Sequence, residues 1–209
     1  MSTKYEMPAI RSHLLGVVRD AYPETFEGLT PTRPLGETVF TGPTPHPNEV
    51  LNLFIQQNLT SALPMTYYMV ARRGVDSLMD GRLPQSATLS PKVLRSATKG
   101  LMELRGIELN ETHNLILESK SPRLCCSAGC PSRKTTGPGV LDAHRKVIDR
   151  ITASPRSGTK VLEVLSLSGI CGGDSAGFCE SCVKRWEAGH AEVRKRAWDI
   201  LPNAFGLKS

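Results

Sequence analysis

The apolar positions of the chain recur mostly at the spacing of an α-helix, which predicts a mainly helical protein. The pattern is clearest in residues 180–201, where apolar side chains repeat with a period near 3.6 residues. Its members are Val183, Trp186, His190, Val193, Ala197, Trp198 and Leu201. Pro202 is expected to end this terminal helix, because proline lacks the N–H that a helix interior needs.

The earlier part of the chain shows further helical patterns separated by prolines and glycines. Helices are predicted over residues 5–22, 63–73, 91–106 and 140–151, with one more turn at 75–79. Another helix follows Pro47, with Asn48 as its cap. Four of its side chains are expected to face the core: Val50, Leu51, Phe54 and Ile55. Residues 107–118 and 161–167 fit either helix or strand, so the predicted fold is an irregular helical bundle.

Composition excludes several classes of protein. The 209 residues contain 39 % hydrophobic side chains, and no run approaches the roughly 20 apolar residues of a membrane helix. The first residues lack the apolar stretch of a signal peptide. We therefore expect an intracellular protein, in the cytoplasm or nucleus, that does not associate with membranes.

Charge divides the chain into two parts. Residues 119–160 contain nine basic and two acidic side chains, a net charge of +7, whereas the whole chain carries +6. We therefore expect a near-neutral helical scaffold over 1–118 and a basic, cysteine-rich segment with the terminal helix over 119–209, packed as one unit. The candidate basic surface consists of Arg133, Lys134, Arg145, Lys146, Arg194, Lys195 and Arg196. Such a surface suits phosphate contacts, so nucleic-acid binding is one alternative function.

All six cysteines lie in the last 85 residues, a clustering that a random distribution along the chain would rarely give. Two short-spaced pairs stand out: Cys126 with Cys130, and Cys179 with Cys182 at the start of the terminal helix. Zinc is held by four such ligands in a tetrahedron, and a helix N-terminus favours thiolates. The spacing thus predicts a structural zinc site, a knuckle that staples the C-terminal part. Substitute ligands are Cys125, Cys171, His144 and His190.

Other interpretations of these residues stay open. Free cysteines are often small buried side chains, and a CxxC pair can be a redox motif. The 48 residues between Cys130 and Cys179 exceed the spacing of compact zinc signatures. Residues 173–177 match GxSxG, the nucleophile motif of serine hydrolases, but the strands that this fold needs are not predicted. A serine or thiol hydrolase is therefore the least favoured function.

The order of several short motifs resembles one known family. These motifs are KYEMPAIR (Lys4 to Arg11), AYPETF (Ala21 to Phe26), LPMTYYMVARR (Leu63 to Arg73), LSP (Leu89 to Pro91) and RKRAWDILPNAFGL (Arg194 to Leu207). Together with the cysteine pairs they resemble the region that follows the BTB/POZ domain in basidiomycete (mushroom-type) fungal BTB domain-containing proteins. The motifs span essentially the whole chain, and the BTB domain itself is absent from it.

The resemblance implies a helical, non-catalytic protein-interaction or regulatory module. It also implies that Cys126 (or Cys125), Cys130, Cys179 and Cys182 form a metal knuckle. A protein partner is expected. Because the BTB domain is absent, the chain is expected to be a truncated paralogue or a fragment of a longer BTB protein. In the family that domain would supply dimerisation and partner recruitment, so the resemblance implies no oligomeric state for this chain.

Overall fold

The computed structural model describes residues 16–17, 21–29, 45–79, 84–119, 145, 149, 158–159, 161–163 and 180–207. These described residues include five helices and no strand. They are α1 (Pro47–Gln56), α2 (Leu63–Ala71), α3 (Gly74–Leu78), α4 (Pro91–Ser119) and α5 (Glu180–Ala204). Short 3₁₀ turns lie at Phe26–Gly28, Thr60–Ala62 and Gln85–Ala87. The predicted mainly helical fold is therefore confirmed for this part of the chain, whereas the predicted helices 5–22 and 140–151 lie almost wholly outside it.

Helix α1 begins at Pro47 as predicted, but His46 caps it instead of Asn48. The His46 imidazole accepts a hydrogen bond from the Asn48 N–H (3.3 Å), and the Glu49 carboxylate accepts one from the His46 N–H (3.1 Å). Asn48 is instead buried and donates its side-chain N–H to the Ala87 carbonyl (3.0 Å). The prediction for Ile55 was also wrong, since its side chain is 39 % exposed.

Residues 91–119 form one continuous helix. Residues 107–118, which fitted either helix or strand, are therefore helical. Gly100 lies in the helix interior because the ring of Phe205 packs directly against the helix there. A Cβ at Gly100 would lie 2.1 Å from two atoms of that ring. Phe205 is fully buried and stacks on Tyr67 with 5.2 Å between ring centroids. The glycine thus permits a close contact between α4 and the end of α5.

Helices α4 and α5 run antiparallel and form the most extensive helix pair of the described fold. Two contacts define their direction. Gly100 of α4 meets Phe205, just after α5, whereas Glu111 of α4 pairs with Arg196 of α5 at 2.6 Å. Residues later in α4 therefore contact residues earlier in α5. The C-terminal end of α4 and the N-terminal end of α5 consequently lie at the same end of the bundle.

Helix α5 does not end at Pro202, which lies inside it. The helix ends in a Schellman motif at Gly206, whose φ of +68° suits a residue without a Cβ. The Leu207 N–H bonds the Pro202 carbonyl (2.7 Å), and the Gly206 N–H bonds the Asn203 carbonyl (3.0 Å). The prediction that Pro202 ends the helix was wrong because one lost backbone hydrogen bond does not outweigh the packing of the last turn.

The core joins α5 to the N-terminal helices. Leu201 of α5 belongs to the same buried cluster as Tyr68 of α2 and Leu104 of α4. Phe26 lies edge-on to Trp198, with 6.4 Å between their ring centroids. Residues near both ends of the chain therefore contribute to one hydrophobic core.

Candidate functional site

Most of the predicted zinc ligands lie outside the described residues. These are Cys125, Cys126, Cys130, His144, Cys171 and Cys179. The backbone of Cys182 is described, as the third residue of α5, and Cys179 directly precedes that helix in the sequence. The backbone of Cys182 thus belongs to the first turn of α5, and helix N-termini in general favour negatively charged sulfur. Among the described residues, no three side chains of the metal-binding types come together.

His190 is described, and helix geometry separates it from the CxxC pair. It lies eight residues beyond Cys182 on α5, about 12 Å along the helix axis. When a cysteine and a histidine bind the same zinc ion, their Cα atoms lie at most roughly 10 Å apart. This distance includes Zn–S and Zn–N bonds near 2.3 and 2.1 Å. His190 therefore cannot replace a cysteine at an ion that Cys182 binds.

His190 instead contributes to the packing of α5. It is 4 % exposed, and its ring stacks on that of Trp186 with 6.3 Å between ring centroids. Burial, and to a lesser extent the charge of Arg194, lower the pKa of His190 to about 4. The imidazole is consequently neutral near pH 7.

The described basic residues do not form one exposed surface. Arg194 is only 8 % exposed, which corrects its predicted place on a basic surface: its guanidinium is engaged inside the protein and lies over the ring of Phe26, 5.6 Å from the centroid. Arg196 pairs with Glu111, and the exposed Arg145 lies 3.8 Å from Asp149. Lys195 is exposed. Arg133, Lys134 and Lys146 lie outside the described residues, as does the GxSxG motif at 173–177.

A buried polar site of the described structure was not predicted from the sequence. It surrounds residues 158–159 and 161–163, which we call the docked segment; Lys160 between them is outside the described residues. The segment has turn and bend conformations and packs between α2, α4 and α5. Thr159, Val161 and Leu162 are buried. We call the surface that receives it the docking groove, formed by Tyr68, Arg72, Glu108 and Arg194.

Side chains of two helices bind both backbone polar groups of Leu162. Its N–H donates to the hydroxyl of Tyr68 (3.2 Å), and its carbonyl accepts from Nε of Arg194 (2.8 Å). Tyr68 is fully buried, and this burial raises its pKa above the ordinary value. The phenol therefore remains protonated and acts here as a hydrogen-bond acceptor. Both backbone groups of a buried residue are thereby satisfied, as burial requires.

Other parts of the groove fix the ends of the segment. The Thr159 hydroxyl donates to Oε2 of the buried Glu108 (3.0 Å), and Nε of Arg72 donates to Oε1 of Glu163 (2.6 Å). Gly158 lies against the end of α2, where an added Cβ would be 1.7 Å from the Arg72 carbonyl oxygen. These contacts suit a glycine at position 158, a hydroxyl side chain at position 159 and a carboxylate at position 163.

One sequence signal could have indicated this site. Ala97, Leu101 and Leu104 mark the buried stripe of α4, and Glu108 continues the stripe four residues later. A carboxylate on the apolar face of a helix needs a polar partner. The sequence does not reveal which residue supplies that partner, because Thr159 is 51 residues away.

Comparisons with models of known protein families, with curated proteins and with solved structures find no match. None of the described helices is long and apolar enough to cross a membrane. The local geometry is therefore the basis for any assignment of function.

Proposed function

We propose that the chain is a non-catalytic protein-interaction or regulatory module stapled by a structural zinc ion. The ligands would be Cys126, Cys130, Cys179 and Cys182, four thiolates with no open position for a substrate. The observation that carries this proposal is the antiparallel packing of α4 and α5. It supports the proposal because Cys182, in the first turn of α5, belongs to the bundle end where the chain leaves α4.

The distances at this end fit such a site. Since Glu111 pairs with Arg196, Ser119 at the end of α4 is level with about residue 188 of α5. Cys182 lies about 9 Å further along the axis, and packed helices are separated by roughly 8–10 Å. The seven residues from Ser119 to Cys126 span up to about 24 Å when extended. The first cysteine pair can therefore reach the second without any movement of the helices.

The buried polar residues also favour a structural role for this part of the chain. Tyr68, Glu108 and Arg194 would attract attention as catalytic groups, yet each binds the docked segment. They hold the protein's own backbone and side chains in place. This arrangement agrees with the interaction role that the resemblance to the post-BTB region implies.

The experiment is metal analysis of the purified protein, with Cys182→Ser and Cys171→Ser as a matched pair of variants. We expect about one zinc per chain in the wild type and in C171S, and none in C182S. Zinc removal should lower the melting temperature, because metal binding stabilises only the folded form. Protein that contains no zinc and unfolds identically with and without chelator would contradict the proposal.

Nucleic-acid binding receives less support, since Arg194 is buried and Arg196 is paired with Glu111. It would have to depend on the basic residues that lie outside the described structure, together with Lys195. Tight binding to DNA or RNA that weakens steeply with salt would favour this alternative.

A further inference from the structure

We infer that the docking groove is a peptide-binding site, which the chain fills with its own residues 158–159 and 161–163. In trans it would take a partner segment of the same pattern that adopts the same turn: glycine, threonine, any residue, valine, leucine and an acidic residue. The inference deepens the proposed function, because it names the interaction surface and the chemistry of the partner.

The first argument is that the groove recognises backbone. The N–H and C=O of Leu162 are bound by side chains from two different helices, Tyr68 of α2 and Arg194 of α5. Receptors that bind peptides likewise hold the main chain by hydrogen bonds, while side-chain pockets supply specificity. Val161 and Leu162 are 2 % and 1 % exposed, so both occupy such pockets.

The second argument is that the groove discriminates at three further positions. The Arg72 carbonyl leaves no room for a side chain at position 158, and Glu108 requires a hydroxyl donor at position 159. The Arg72 guanidinium favours a carboxylate at position 163, although this ion pair is partly exposed. A peptide lacking the glycine would collide with backbone, which cannot move aside as a flexible side chain can.

The third argument is that the groove is polar in part, although Val161 and Leu162 also pack into the hydrophobic core. A phenol hydroxyl, a carboxylate and a guanidinium line it, from Tyr68, Glu108 and Arg194. If the docked segment left, water could solvate these polar groups, but the pockets of Val161 and Leu162 would be left empty. A partner segment of the same chemistry would restore both the polar and the apolar contacts.

The test uses the full-length chain with Gly158→Trp, which prevents the internal segment from docking. Its matched control is Gly106→Trp, because a Cβ at Gly106 has no atom within 4 Å. The probe is a fluorescein-labelled synthetic peptide of residues 155–166, PRSGTKVLEVLS. A second peptide, in which tryptophan replaces the glycine, serves as the control ligand.

We expect saturable binding of the first peptide to G158W, measured by fluorescence anisotropy, and none of the control peptide. The wild type and G106W should not bind it, because a tethered segment competes at an effective concentration of about 1 mM. In the G158W background, Tyr68→Phe should weaken binding about tenfold through the lost acceptor. The neighbouring Tyr67→Phe should leave it unchanged.

Folded G158W that does not bind the peptide up to about 1 mM, the tethered concentration, would overturn the inference. If G158W is unfolded, the milder Leu162→Ala takes its place, and the peptide must raise its melting temperature. A wild-type dimer that G158W abolishes would assign the groove to a second copy and overturn the case for a separate partner. Zinc content enters none of these readouts, so this inference and the zinc staple can fail independently.

Discussion

Substitution of Gly100 by alanine tests how tightly α4 and the end of α5 are packed. Alanine is the better helix former, and in an exposed helix interior the change would stabilise the protein by about 1 kcal/mol. At Gly100, however, the new Cβ would lie 2.1 Å from two carbons of the Phe205 ring. Carbon atoms in contact are normally separated by about 3.5–4.0 Å, so the ring has to move by more than 1 Å.

The ring has little freedom to move. Phe205 is fully buried and stacks on Tyr67, so displacement disrupts a second contact as well. Overpacking of a well-packed core costs about 1–3 kcal/mol, and the double contact here places the cost at the upper end. After subtraction of the gain in helix propensity, we expect Gly100→Ala to destabilise the protein by about 2 kcal/mol. For a chain of this length, that corresponds to a fall in melting temperature of about 4–8 °C.

The assay is urea unfolding followed by circular dichroism at 222 nm. Gly106→Ala is the control in the same helix, and it should raise the free energy of unfolding by up to about 1 kcal/mol, since its Cβ meets no other atom. In a Phe205→Ala background, Gly100→Ala should change sign and become stabilising. If Gly100→Ala stabilised the otherwise unchanged protein as Gly106→Ala does, the close contact with Phe205 would be refuted.

Three further predictions concern single side chains. Asn48→Ala removes the buried donor to the Ala87 carbonyl and should cost about 1–2 kcal/mol in urea unfolding; Asn52→Ala, where water can replace the lost bonds, should cost less. Gly206→Ala imposes a side chain at φ +68° and should cost about 1 kcal/mol by the same assay. His190 binds a proton more readily in the unfolded chain, so stability should fall as the pH drops from about 6.5 towards 4, by about 2 kcal/mol at pH 5. His190→Gln should remove that part of the pH dependence, and an unchanged pH profile would show that His190 is not its source.

Helical periodicity was enough to predict most of the described helices, because their buried faces are made of apolar side chains. It was less informative where a residue has a tertiary role. Asn48 has the ideal chemistry for an N-cap, but its side chain is buried against Ala87, and His46 takes the capping position. Similarly, Pro202 indicated the end of α5, whereas Gly206 ends it through its positive φ. The sequence contains that glycine, but proline gave the stronger local signal.

The docking groove lay beyond sequence reasoning for a different reason. Glu108 interrupts an apolar stripe, so a pattern based on hydrophobicity alone leaves residues 107–118 undecided between helix and strand. Its hydrogen bond to Thr159 and the bond from Arg194 to the Leu162 carbonyl join residues 51 and 32 positions apart. Arg194 accordingly appeared in the sequence as part of a basic run, although the fold buries it. Long-range pairing of this kind depends on the assembled helices and leaves no periodic trace.

The proposed zinc staple and the docking groove share helix α5, yet they should behave as separate devices. Cys182 and Arg194 are twelve residues apart on that helix, about 18 Å along its axis. Cys182→Ser should therefore remove zinc while the groove stays filled and still excludes the labelled peptide. Gly158→Trp should open the groove while zinc stays bound. The docked segment lies between Cys130 and Cys171 in the chain, so loss of zinc from folded G158W would show that docking positions the cysteines. That result would contradict independence and make the segment the link between the metal and the interaction surface.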